Sequence, residues 1–327
     1  MKSAALIGDV GAGKTTFACM CHNPDEGTTA DGFTDYFEEV KKEFLFGKLP
    51  GALEKGGTPR PEWDFITIRR ETFFRKWQIS IVDCSGEIQI EVLKELDEIS
   101  KEWRAGNRKI KYPFLEILNK ILDRGTEDLK RYVWENMWKP IPEWGKRLKE
   151  EQGSEGYIPR NRDANIPKIL FLITLMNADR FIFAVDGGVL KMLWEEMDKL
   201  RRKGIRKGDV QFGILKEIED SRLNKLKLAY DLMKYYRSIL YLKRIIGRLS
   251  RCVLMITKSY KFGDNKREAL DMLNIFLSKT GFKEELRFVR WKSCCVGVRG
   301  KEGKENEEHT GKVYGVEEVI SSIFPLI

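Results

Sequence analysis

Eight residues, Gly8-Asp9-Val10-Gly11-Ala12-Gly13-Lys14-Thr15, follow directly on the apolar run Ala4-Ala5-Leu6-Ile7. The helix-compatible stretch Thr16 to Met20 comes next. Glycines, a lysine and a threonine at these spacings, between a strand and a helix, make a phosphate-binding loop. Bare glycines let several backbone N–H groups converge on phosphate oxygens, and the helix N-terminus adds partial positive charge. Lys14 is placed to reach the β- and γ-phosphates, and the Thr15 hydroxyl to ligate Mg²⁺. The expected nucleotide contacts here are Gly8, Asp9, Val10, Gly11, Ala12, Gly13, Lys14, Thr15 and Thr16. Strand-like parts alternate with helical parts along the chain, which predicts an α/β fold of the P-loop kind with a mainly parallel sheet covered by helices.

A second motif lies about seventy residues further on, where the apolar strand Ile79-Ser80-Ile81-Val82 ends in Asp83-Cys84-Ser85-Gly86-Glu87. A carboxylate at that strand tip suits the Mg²⁺ side of a P-loop enzyme. Gly86, with no Cβ, can bring its N–H against a γ-phosphate.

The order of phosphate loop, long loop, antiparallel strand pair, Asp83-Cys84-Ser85-Gly86-Glu87 and Phe183-Ala184-Val185-Asp186 resembles the Ras-like GTPases of the translation-factor-related class. The stretch Gly47-Lys48-Leu49-Pro50 with Gly57-Thr58, ahead of Asp-x-x-Gly-Glu, is similar to double-GTPase-type families. The likeness covers roughly residues 1–90 and the strands from 180 onward. It implies that Thr58 closes on Mg²⁺ and the γ-phosphate, and that Gly86 and Glu87 open a second switch segment. Thr28, Thr29 and Thr34 compete with Thr58 for that role. Glu87 stands where Ras carries a water-orienting glutamine; a carboxylate there can orient or deprotonate water but also repels a γ-phosphate. Val10 replaces a common glycine. Both departures imply slow intrinsic hydrolysis.

The base-reading motif of that class, Asn/Thr-Lys-x-Asp, is matched by Thr257-Lys258-Ser259-Tyr260 in its first two residues only. A neutral phenol at Tyr260 cannot offer the two-acceptor edge that guanine needs. Asp264 is the nearest carboxylate that could substitute. Lys292-Ser293-Cys294 falls where the class carries Ser-Ala-Lys, which implies Ser293 and Cys294 beside the base. Architecture favours GTP, and ATP stays open.

The remaining sequence sets the frame. Strands are expected at 3–7, 64–70, 78–83, 180–185, 251–257 and 286–296. Helices are expected at 34–44, 88–99, 169–176, 189–202, 214–249, 266–279 and 316–324. Residues 1–99 and 166–327 then form the nucleotide-binding G domain. Residues 100–165, broken by prolines and carrying Trp103, Trp134, Trp138 and Trp144, read as a helical insertion with apolar mass for a small core. No apolar run is long enough to span a membrane, and a strand beginning at Ser3 leaves no room for a signal peptide; the expectation is a cytoplasmic chain. The six cysteines lack paired metal-ligand spacing and read as buried thiols.

The net charge is +9, partly clustered at Arg104, Arg108, Lys109 and Lys111, at Arg201-Arg202-Lys203 with Arg206-Lys207, and at Lys243-Arg244 with Arg248 and Arg251. Such patches suit nucleic acid as readily as a solvated surface. The sequence therefore predicts a Mg²⁺-dependent switch that hydrolyses GTP slowly to GDP and phosphate and signals to a protein effector. The alternatives are a P-loop ATPase, or a nucleotide-bound interaction module whose basic surface binds nucleic acid.

Overall fold

The structure, a computed structural model, describes residues 2–9, 11–47, 63–72, 76–137, 165–202, 221–263, 266–298 and 313–325. Its centre is a seven-stranded sheet in the order β2-β3-β4-β1-β5-β6-β7. The strands are β1 Lys2–Gly8, β2 Thr28–Gly32, β3 Trp63–Glu71, β4 Lys76–Cys84, β5 Arg180–Asp186, β6 Arg251–Thr257 and β7 Arg290–Cys295. From β4 through β1, β5 and β6 to β7 every pairing is parallel. β2 and β3 join antiparallel at the other edge. A short hairpin, β8 Gly297–Val298 with β9 Val313–Tyr314, extends from the end of β7.

Alternation along the strands divides the core into two layers, because successive side chains point to opposite faces. Ala4 and Leu6, Ile66 and Ile68, Ile79 and Ile81, and Val253 and Met255 face one layer. It is covered by α1 Lys14–Cys21, α2 Asp35–Leu45 and α11 Val316–Ile323. Ala5 and Ile7, Phe181 and Phe183, and Leu254 and Ile256 face the other. There lie α3 Gly86–Arg104, α4 Pro113–Leu122, α5 Glu127–Asn136, α6 Asn165–Asn177, α7 Gly187–Arg202, α8 Ser221–Ile245, α9 Lys266–Lys279 and α10 Phe282–Leu286. Phe183 centres this layer, stacked on Phe181 at 5.9 Å, tilted against Tyr236 at 5.1 Å and edge-on to Phe282 at 5.3 Å. Such ring pairs each add about 0.5–1.5 kcal/mol beyond their buried area.

Two expectations are corrected. Residues 28–32, read as loop, form β2. The strand expected over 286–296 starts at Arg290, because Phe282–Leu286 closes a helical turn that buries Phe282 and Leu286. Part of the 100–165 stretch, residues 100–137, lies within the described residues. α3 runs through residue 100 without a break, since Leu96, Ile99 and Trp103 continue one buried stripe. α4 then packs on α3 and α6. Its Ile117 and Leu118, with Leu129 and Val133 of α5, join the sheet's own core. Trp138 and Trp144 lie outside the described residues. No helix among the described residues is long and apolar enough to cross a membrane.

Candidate functional site

The parallel strands β1, β4, β5 and β6 end side by side, and the sequence motifs meet at those ends. β1 stops at Gly8, where a Cβ would lie 2.8 Å from the Ala184 Cβ and 3.0 Å from its carbonyl oxygen. Only glycine lets β5 approach this closely. The chain then turns, with the Ala12 N–H donating to the Asp9 carbonyl at 3.1 Å. Gly13 holds the left-handed conformation, φ 76°, that starts α1.

Lys14 is buried at 3% exposure, and its ammonium is fully directed. Nζ donates to the carbonyls of Gly8 and Asp9, each at 3.0 Å, and lies 3.4 Å from Asp83 Oδ1. The Thr15 hydroxyl donates to Asp83 Oδ2 at 2.7 Å. Residues 68 positions apart are thus joined because β4 lies parallel beside β1 and both end at the same level. Thr16, the next residue of α1, is partly exposed.

Beyond Asp83, Ser85 caps α3 by accepting from the Ile88 N–H at 3.4 Å. Gly86 is the first helical residue. Glu87 stands exposed in the first turn, where a carboxylate complements the helix N-terminus. The first N–H groups of a helix have no partner within it, and in α3 they follow closely on Asp83 in the chain.

The tip of β6 closes the other side. A Cβ on Gly13 would lie 3.3 Å from the Thr257 Cβ, so Thr257 rests against the Gly8–Thr15 loop. Lys258 follows at φ 48°, the single non-glycine positive φ among the described residues. Its Nζ lies 3.0 Å from Asp186 Oδ2, while Asp186 Oδ1 accepts from the Gly188 N–H at 2.7 Å. A Cβ on Gly187 would sit 2.5 Å from the Thr257 carbonyl oxygen. Asp186 and Gly187 therefore lock the β5 tip to the β6 tip. In the sequence Asp186-Gly187-Gly188 marks only a strand end.

Ser293 and Cys294 sit lower than expected. They pair with Leu254 and Met255, within β7 and below the tip of β6. Cys294 faces α11, where its Sγ lies 3.8 Å from Ser322 Oγ and burial pushes its thiol up to about 11. The later start of β7 causes the offset, and Val296 and Gly297 reach the strand ends instead. Val296 donates its N–H to the Ile256 carbonyl at 2.8 Å. Its own carbonyl accepts from Ser259 Oγ at 3.3 Å, and that hydroxyl lies 2.7 Å from the Tyr314 hydroxyl. Tyr260, the next residue after Ser259, is 37% exposed. Val10, Thr58 and Asp264 lie outside the described residues.

The donor set can be judged for a metal. Thr15 and Asp83 supply two hard oxygens at one point, with an ammonium 3.4 Å from the carboxylate. Mg²⁺ takes one or two protein oxygens and completes its octahedron with water and phosphate, so these residues fit it. Comparison of the chain with protein-family models, curated proteins and solved structures gives no match.

Proposed function

We propose that the chain is a Mg²⁺-dependent nucleotide-binding switch that hydrolyses GTP slowly. The observation that carries this reading is the convergence of Lys14 and Thr15 on Asp83, at 3.4 and 2.7 Å, below a glycine turn opening a helix. The strand order adds support. β3-β4-β1-β5-β6-β7, with β3 antiparallel and α1 and α11 sharing one face, resembles the Ras-like arrangement, with β2 as an extra edge strand.

Polyphosphate would lie over the turn between Gly8 and Thr15, taking backbone N–H bonds from the loop. Lys14 would leave the Gly8 and Asp9 carbonyls and place its charge on the β- and γ-phosphates. Thr15 and Asp83 would hold Mg²⁺, which when bound neutralises charge building up on the phosphate oxygens. Catalysis on this reading is electrostatic, from groups already fixed in place. Glu87, at the start of α3, would orient water at the cost of repelling the γ-phosphate, which keeps turnover slow. Residues 86–98 and the segment around Thr58 would carry the difference between states to a protein effector.

One observation favours ATP as a second reading. The exposed residue two positions after Lys258 is a phenol rather than a carboxylate, and Lys258 is itself engaged by Asp186. Equilibrium binding of labelled GTP and ATP with Mg²⁺ separates the two. Tighter GTP binding supports the first reading, and tighter ATP binding replaces it with the second.

A further inference from the structure

Several of the basic groups singled out in the sequence are engaged within the fold. Lys243 is buried and donates to the Leu175 and Met176 carbonyls at 2.9 and 3.0 Å, capping α6. Arg104 and Arg244 both reach the buried Glu285, at 2.9 and 3.2 Å. Arg202 pairs with Asp198 at 2.7 Å.

Lys258 is held as firmly, yet its stem stays open. Its side chain is 36% exposed, while that of Asp186, which takes its ammonium at 3.0 Å, is 6% exposed. Asp186 is itself fixed, because its Oδ1 accepts from the Gly188 N–H at 2.7 Å. The Lys258 backbone stands in the left-handed region at φ 48° and ψ 32°. A residue with a Cβ stays there only where its surroundings over-determine it. Gly187 supplies one constraint, since a Cβ on it would stand 2.9 Å from the Lys258 carbonyl oxygen. The Lys261 N–H supplies another by donating to that same oxygen at 3.0 Å. Backbone and ammonium are thus both clamped. The methylene stem between them spans from the β6 tip to the β5 tip, because Asp186 pairs in register with Thr257.

These tips lie on the nucleoside side of the site. In the strand order β4-β1-β5-β6, Asp83 closes the β4 side. Mg²⁺ bridges the β- and γ-phosphates of a bound triphosphate, so Thr15 and Asp83 would draw the terminal phosphates toward β4. The rest of the molecule would then run the other way, past Gly13 and the Thr257 that rests against it, toward β5 and β6.

We infer that the clamped Lys258 stem is a shelf for the flat face of the nucleotide's base, and that Asp186 is the positioning residue that holds it. This rests on the reading of residues 8–15 as a triphosphate site. A lysine stem covers apolar surface while its charge is satisfied elsewhere. With the ammonium on Asp186, the contact offered is methylene against ring, which guanine and adenine accept alike. Fixing the stem before the ligand arrives removes the cost of ordering it on binding.

The test is equilibrium titration, with Mg²⁺, of GTP, ATP and inorganic tripolyphosphate, which keeps the phosphates and lacks a base. Asp186→Asn keeps an acceptor for the Gly188 N–H and loosens the hold on Lys258. GTP and ATP should each bind it about five-fold more weakly, and tripolyphosphate as before. Asp186→Asn with Lys258→Ala removes one charge of each sign together with the stem, so net charge is unchanged. It should weaken both nucleotides about ten-fold or more, again sparing tripolyphosphate. Retained tripolyphosphate binding also shows an intact fold and loop in each variant. Equal losses for all three ligands overturn the inference, because the pair then only shapes the loop. Unchanged nucleotide affinity in the double variant also overturns it, as does a loss for one nucleotide with none for the other. An unaltered chain that binds tripolyphosphate alone keeps the loop and removes the shelf. An unaltered chain that binds none of the three overturns the triphosphate reading itself, and the shelf with it.

Discussion

At the scale of single residues, two positions hold the strand ends and helix ends in place. Gly187 lies where any side chain would meet main-chain oxygen, 2.5 Å from the Thr257 carbonyl and 2.9 Å from that of Lys258. Gly187→Ala must move backbone rather than a flexible tip, and is expected to destabilise the chain by about 1–3 kcal/mol in urea unfolding. Lys243 is the second. Burial first, and then Arg248, push its ammonium from the ordinary 10.5 down to about 7, against a pull from Asp179. A pKa lower in the folded than in the unfolded chain makes this group's stability complete above 10.5. It is lost as pH falls through about 7. The unaltered chain should therefore gain stability from this group between pH about 7 and about 10. Lys243→Met should remove that part of the rise, and equal pH slopes in the two proteins would refute the assignment.

At the scale of elements, α4 and α5 bury their apolar stripes in the sheet's core. Leu118 of α4 is fully buried in that core. Leu118→Ala should cost about 2–5 kcal/mol, with residues 113–136 losing hydrogen-exchange protection together with the sheet. Early, separate loss of protection there would contradict that shared packing. Most elements were legible because period-2 and period-3.6 patterns are local; the helix over 266–279 and the strand over 251–257 agree with the sequence at both ends. β2 was not legible. Thr28-Thr29-Ala30-Asp31-Gly32 has too little apolar content to read as a strand. It is held by pairing with β3 and by α2, where a Cβ on Gly32 would stand 2.4 Å from the Phe37 Cβ. The start of β7 was obscured similarly, because Leu286, Phe288 and Val289 put apolar residues directly ahead of Arg290, while Leu286 ends a helical turn.

At the scale of the whole molecule, the sheet's two ends differ: the Gly8–Thr15 loop faces Asp83 at one, and Arg180, Arg251 and Arg290 share one register line at the other. The first end was legible from Gly8 to Thr15 and from Asp83 to Gly86, because those motifs encode geometry in short stretches. The contact between Thr257 and Gly13, and the Asp186–Lys258 pair, arise only from strand order, and so did the displacement of Ser293 and Cys294 from the tips. The arginine row is likewise invisible along the chain, since its members are about 40 to 70 positions apart and meet only through parallel register. The central claim is that Lys14, Thr15 and Asp83 together bind the polyphosphate of a nucleoside triphosphate. Isothermal titration of GTP and ATP with Mg²⁺ into the unaltered chain and Lys14→Ala tests it most directly. Saturable binding of at least one triphosphate, abolished in the variant while its fold is kept, is the expected result. Equal affinity in both proteins, or no binding of either nucleotide to the unaltered chain, would contradict it.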